Sequence, residues 1–227
     1  MKRANYPEDI SYDFKNEIHF CSHYKHRCFT PFYGFSKERG KIIGFLYEFM
    51  RNDSLASLSE SQMINVFMLA TISRIFQGIN YLHSNSLIHR DIKPSNILLN
   101  HDFVPFISDF ETIRHHIDDD ETITQDIRSA FYSTPEQFKG LNISYPTDIY
   151  LFGLLIYFIF ENDHLFSQLN SPFSLNKESY KVLPLTKGSI DMRNIYLSCV
   201  KYDPDERPNN SANKNNINQR ISEFFLF

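Results

Sequence analysis

A chain of 227 residues, 42% of them hydrophobic, has the material for a sizeable core. Its 23 basic and 27 acidic residues give a formal charge of −4 and are interspersed, which argues against a broad basic face for nucleic acid or anionic lipid. Three cysteines, Cys21, Cys28 and Cys199, form neither an even disulfide set nor a paired metal-ligand spacing, so buried thiols in an intracellular, cytoplasmic setting are the expectation.

Met1-Lys2-Arg3 leads into polar residues instead of an apolar signal core, and secretion is not expected. From Tyr12 to Ser22, Phe14, Ile18 and Cys21 recur at three- and four-residue steps, which predicts a helix carrying Glu17 beside its packing face. Phe29 to Phe35 and Lys41 to Phe49 are aromatic and β-branched, and the turn-like Ser36-Lys37-Glu38-Arg39-Gly40 between them predicts an antiparallel pair.

Ser59 with Gln62 resembles a capping box, and apolar residues from Ile64 through Ile72, Ile75 and Ile79 to Leu82 keep helical spacing. Two short apolar runs follow, ending at Leu99 and Ile107, then a polar segment from Glu111 to Ser129. The apolar run from Ile149 to Phe160 is shorter than the ~20 residues of a membrane span and reads as a buried helix. The asparagine-rich stretch from Asn209 to Gln219 lacks an apolar period and reads as a loop. Strands first and helices after predict an α+β protein, with a ligand cleft between a small sheet-bearing part and a larger helical part.

The chemistry concentrates in "IHRDIKPSNILLN", residues 88–100. Asp91 alone could be a turn residue or a helix cap. With Lys93 and Asn96 beside it, and Asp109 between later apolar residues, it joins a set of two carboxylates, a cation and an amide. Such a set suits phosphoryl transfer, which needs a group to orient the attacking hydroxyl, a cation on the transferred group and hard oxygen ligands for magnesium.

His89-Arg90-Asp91-Ile92-Lys93-Pro94-Ser95-Asn96 resembles the catalytic loop of eukaryotic protein kinases at its defining positions. Asp109-Phe110-Glu111 resembles the magnesium-binding Asp-Phe-Gly triplet with its glycine replaced, and Thr134-Pro135-Glu136 the Ala-Pro-Glu that closes the activation segment. Asp148 in "TDIYLFG" and Arg207 in "DPDERP" resemble that family's structural aspartate and the arginine paired with Glu136. The run from Phe14 to Phe35 is similar to the regulatory helix and following strand, which implies Glu17 as partner of an ATP-binding lysine. Tyr47 would be the gatekeeper, with Glu48 and Met50 offering backbone groups to adenine.

The resemblance implies a bilobal kinase-like fold: one domain over 1–227, with a partial N-lobe at 1–50, containing a small incomplete sheet and the regulatory helix, and a larger, mainly helical C-lobe at 51–227. It implies a protein Ser/Thr kinase using ATP and Mg2+ on a protein hydroxyl, since Lys93 lies two residues after the catalytic aspartate. Asp91, Lys93 and Asn96 would be catalytic, Asn96 and Asp109 would hold the metal, and Lys2, Glu17, Glu48 and Met50 would bind ATP. His89 becomes structural, and His101, His115 and His116, lacking partners at ligand spacing, are expected at the surface.

Three features depart from the pattern. The seven glycines contain no glycine-rich loop, and Met1-Lys2 could end a strand whose upstream neighbours are missing, which makes an internal start the expectation. Glu111 replaces a glycine, and could point to solvent, bind metal or repel nucleotide. Asp118-Asp119-Asp120-Glu121 is either a solvated run or a mimic of activation-loop phosphate for Arg90, with Thr122 and Thr124 as rival phosphorylation sites. A pseudokinase acting as a binding module, or an inactive fragment, is the alternative to the enzyme.

Overall fold

The computed structural model describes residues 2–3, 12–39, 41–58, 65–116, 132–165 and 183–208. The Ser59–Gln62 cap, the acidic run at 118–121 with Thr122 and Thr124, and the stretch 209–219 lie outside the described residues. Of Lys2, only the backbone is described.

Helix α1 spans Tyr12–His23 and buries Glu17, Phe20 and Cys21 along one side. Strands β2 (Phe32–Glu38) and β3 (Lys41–Tyr47) pair antiparallel, and β1 (Lys2–Arg3) adds to the other edge of β3, Lys2 opposite Phe45. The first strand therefore starts three residues later than expected from its composition. Phe29 bridges to Ile107 instead, and Pro31, which has no N–H to give a ladder, separates the two pairings.

The hairpin turn is also tighter than the polar run suggests, because Lys37 pairs with Ile42 and Glu38 with Lys41. Arg39 carries the turn at φ 49°, as tight hairpins require. At its far end β3 stops at Tyr47, short of Phe49. Glu48 donates its N–H to the Pro31 carbonyl at 2.9 Å, which leads the chain out of the sheet.

The helical part is built on α2 (Asn65–Ser84) and α4 (Tyr145–Glu161). Ile72, Ile75, Phe76, Ile79 and Leu82 face inward at helical spacing, and Phe76 meets Phe152 with ring centroids 5.3 Å apart. Every residue from Thr147 to Phe160 is buried, so α4 is apolar all round because neighbours surround it. Helix α5 (Ile190–Cys199) crosses it where Gly153 leaves no room for a side chain: an added Cβ would stand 2.6 Å from Val200 Cγ1.

Between these helices, β4 (Leu87–Ile88) pairs with β7 (Arg114–His115), and β5 (Ile97–Leu99) with β6 (Pro105–Ile107). These two ribbons hold residues 89–96 and 108–113 side by side. The sheet joins the helical body through Ile107, which donates to the Cys28 carbonyl at 2.8 Å and accepts from Thr30 N–H at 2.9 Å. The Phe110 ring packs tilted against that of Phe20 of α1, centroids 4.5 Å apart. A short helix α3 (Pro135–Phe138) begins at Thr134, whose hydroxyl accepts from the Gln137 N–H.

The three cysteines are buried thiols outside any disulfide, and His101, His115 and His116 are exposed. Among the described residues no helix is long and apolar enough to cross a membrane.

Candidate active site

Asp148, in the first turn of α4, fixes the loop before β5. Its carboxylate accepts from the His89 N–H at 2.9 Å and the Arg90 N–H at 2.8 Å, while His83 at the end of α2 closes on Oδ2 at 3.0 Å. Burial opposes the charge on Asp148, but the hydrogen bond from His83 and the N–H of His89 overcome it and hold the carboxyl below its usual range. Arg90 sits at φ 75°, a conformation that costs an L-residue strain, and its anchored N–H helps hold it there. The loop is thus prearranged before any ligand arrives.

Within that loop the side chains converge. Lys93 Nζ lies 2.7 Å from Asp91 Oδ2, and Asn96 Nδ2 donates to the same oxygen at 2.8 Å and to the Asp91 carbonyl at 2.9 Å. A turn over Pro94–Asn96, closed by Asn96 N–H onto the Lys93 carbonyl, supplies the geometry. Asp109 is brought alongside by Ser108, whose N–H and hydroxyl both reach the Asn96 carbonyl at 2.9 Å. It stands at φ 65°. Glu111 has no such backbone demand: it is absent from the positive-φ positions, so the glutamate needs no glycine-like conformation. It is half-buried and its carbonyl accepts from Arg114.

His89 lies beneath this cluster, fully buried, with its ring 5.7 Å from that of Phe110. Burial pushes its pKa down despite Asp148, Asp91 and Asp109 nearby, so it stays neutral. Thr112 ties the two loops by donating to the His89 carbonyl at 2.7 Å.

On the sheet side, Glu17 is 1% exposed and accepts from the Tyr47 hydroxyl at 2.5 Å. Lys2 borders the same strand at Phe45, so the chain places the backbone of Lys2 and the carboxylate of Glu17 against adjacent parts of β3. Of the expected adenine contacts, the Glu48 N–H is committed to Pro31, which leaves its carbonyl for a ligand. Met50 is buried, and its carbonyl accepts from Asp53 N–H at 3.3 Å.

Glu136 and Arg207 form a buried two-pronged pair at 2.7 and 2.8 Å. Burial raises the cost of charging Glu136, and Arg207 reverses it, holding the carboxyl below its usual range. Thr147 adds a third bond to Glu136 at 3.0 Å, and Gln137 donates to the Arg90 carbonyl. The closing motif is thereby fastened to α4 and to the loop together.

Sequence reading did not anticipate four of these partners. His83, Thr147 and Ser108 are unremarkable by spacing, and their roles arise from neighbours far along the chain. The Tyr47 hydroxyl on Glu17 had no sequence signal either, since thirty positions separate them.

A small antiparallel sheet with one helix, set on a helical body whose connecting loops gather Asp91, Lys93, Asn96 and the chain around Asp109, defines a protein-kinase fold. Residues 1–218 match the protein kinase domain, and the chain belongs to that family. It is 32% identical over 229 residues to cysteine-rich receptor-like protein kinase 5 of Arabidopsis thaliana, covering 88% of this chain and 35% of that protein. Over 189 residues it is 29% identical to a probable LIM domain-containing serine/threonine-protein kinase of Dictyostelium discoideum, covering 81% of this chain and 19% of that protein. Receptor-like protein kinase THESEUS 1 of Arabidopsis thaliana is 31% identical over 171 residues, or 69% of this chain and 19% of that protein. The chain spans about a fifth to a third of the length of these relatives.

Proposed function

We propose that this chain is a protein serine/threonine kinase that transfers the γ-phosphoryl group of ATP to a protein hydroxyl, with residues 1–50 as a partial N-lobe and 51–227 as the C-lobe. The observation that carries the reading is the engagement of one oxygen of Asp91, Oδ2, by both Lys93 and Asn96. The other oxygen, Oδ1, is then the acceptor that orients the incoming hydroxyl and takes its proton. Lys93 stands where it neutralises charge developing on the transferred group. The names of the relatives, which include serine/threonine-protein kinases, support the choice of substrate class.

Magnesium fits the residues present. Because the Asn96 amide nitrogen is directed at Asp91, its Oδ1 is left as a hard oxygen donor, and Asp109 adds a carboxylate. Two protein oxygens completed by water and phosphate are the usual set for this ion. When bound, the ion screens the charge of the phosphates during transfer. Lys2 is assigned to the nucleotide's phosphates with Glu17 as the carboxylate that holds it, while the carbonyl of Glu48 and the backbone of Met50 take the adenine.

The decisive experiment has two readouts. Mg–ATP raises the unfolding midpoint if the site binds nucleotide, and radiolabel passes from γ-labelled ATP to a generic serine substrate if it catalyses. Asp91→Asn should abolish transfer while leaving the midpoint shift. Binding without transfer in the unaltered chain would favour a pseudokinase, and absence of both would overturn the proposal.

A further inference from the structure

Two concave wells flank the loop between α1 and β2, and none of Asp91, Lys93, Asn96 or Asp109 lines either. The first, about 370 Å3, is walled by Phe20, Phe29, Phe106 and Phe110. The second, about 440 Å3, lies between α2 and β6, with Val104 and Pro105 on one wall and Thr71 on the other. Arg27 lines both, and its guanidinium donates to Gln77 Oε1 of the second well at 2.6 Å. Each well has the size of a ligand pocket, and the shared Arg27 sets them side by side.

The chemistry of the rim is lopsided. Lys25, His26 and Arg27 edge the first well, and Arg74 enters the second with its guanidinium 4.7 Å above the Phe106 ring. Against these, the sole carboxylate among the lining residues is Asp102, which is engaged by His101 at 3.0 Å. Burial lowers the pKa of His26, and the charges of Arg27 and Arg74 lower it further, the sign expected of a positive field. Thr71 is 1% exposed and its hydroxyl has no hydrogen-bond partner among the described residues, an unmet polar group beside the second well.

We propose that these two neighbouring wells, with Arg27 on the wall they share, dock an acidic protein segment bearing a large apolar side chain. The apolar group enters the aromatic well, and flanking carboxylates meet Lys25, Arg27 and Arg74. A bilayer is a poorer match, because the apolar floors are sunk between the cations and a flat surface cannot reach both. Charge complementarity across such a rim sets specificity and association rate, so opposite-sign peptides should separate cleanly.

The test is fluorescence anisotropy with three labelled peptides. The acidic probe is Asp-Glu-Phe-Leu-Asp-Glu, the second carries lysine for every acid, and the third carries alanine for Phe and Leu. The acidic probe should bind the unaltered chain at least about tenfold tighter than either of the others. Arg27→Glu and Lys25→Glu should each weaken it by about tenfold and strengthen the lysine probe. Lys25 is exposed, so its variant carries the test if Arg27→Glu misfolds. Equal binding of the three peptides, no binding of the acidic probe, or unchanged affinity in both variants would overturn the proposal. So would sedimentation with phosphatidylserine vesicles in place of peptide binding.

Discussion

Tyr47 on β3 donates its hydroxyl to Oε1 of Glu17 on α1 at 2.5 Å, and Cys21 Sγ lies 3.3 Å from the same hydroxyl. Burial, Cys21 and the Glu17 carboxylate all oppose loss of the phenol proton, so Tyr47 remains a donor at any working pH. Tyr47 therefore holds α1 against the sheet by a polar bond as well as by packing.

Tyr47→Phe removes that bond, and the weaker Cys21 contact with it, while keeping the ring. Because the acceptor is a buried carboxylate, the loss should be about 1.5–3 kcal/mol, read from denaturant midpoints. An unchanged midpoint would mean the bond contributes no net stability.

Arg207 and Glu136 should show strong coupling. Arg207→Met alone strands a buried carboxylate and should cost about 3–5 kcal/mol. Adding Glu136→Leu should recover a large part of that loss, so the double-mutant cycle is far from additive. Additive costs would contradict a desolvated pair.

Gly153→Ala tests the α4–α5 crossing. In a free helix the change helps by about 1 kcal/mol. Here the new Cβ meets Val200 Cγ1 at 2.6 Å and Cys199 Cβ at 2.9 Å, so overpacking of about 1–3 kcal/mol should win. A stabilised variant, measured by thermal unfolding, would show that the helices can separate without cost.

Stability should fall on acidification in two stages. His89 is buried and its folded pKa is depressed, so below the ordinary histidine value of about 6.5 the unfolded chain takes up a proton that the native chain refuses. The slope from this group is at most about 1.4 kcal/mol per pH unit. Asp148 and Glu136 also have depressed folded pKa values. Their contribution is full above the ordinary carboxylate value of about 4 and is lost as pH drops through the lower folded values. Urea midpoints measured from pH 8 to pH 3 check both stages. His89→Gln should flatten the first.

Much of the fold was legible because helices announce themselves locally. The spacing of Ile72, Ile75, Ile79 and Leu82 gives α2, and the unbroken apolar run after Asp148 gives a buried α4. The polar loop at 88–96 was legible for a different reason: its side chains lie within a few positions, so one turn at Pro94–Asn96 is enough to bring them together. Strand ends were read less well. Phe29 has the composition of a β2 residue, yet it pairs with Ile107, and no local pattern can reveal a partner seventy-eight positions away.

By itself, then, the sequence determined which segments coil, which loop gathers Asp91, Lys93 and Asn96, and, through its resemblance, that Asp148, Glu136 and Arg207 would be structural. Tertiary structure alone decided that Tyr47 binds Glu17, that His83 completes the hold on Asp148, that Ser108 sets Asp109 beside Asn96, and that Arg27 lines two wells. The division follows from range: helical periodicity and short loops are written in neighbouring residues, whereas hydrogen bonds across the core depend on where distant segments come to rest.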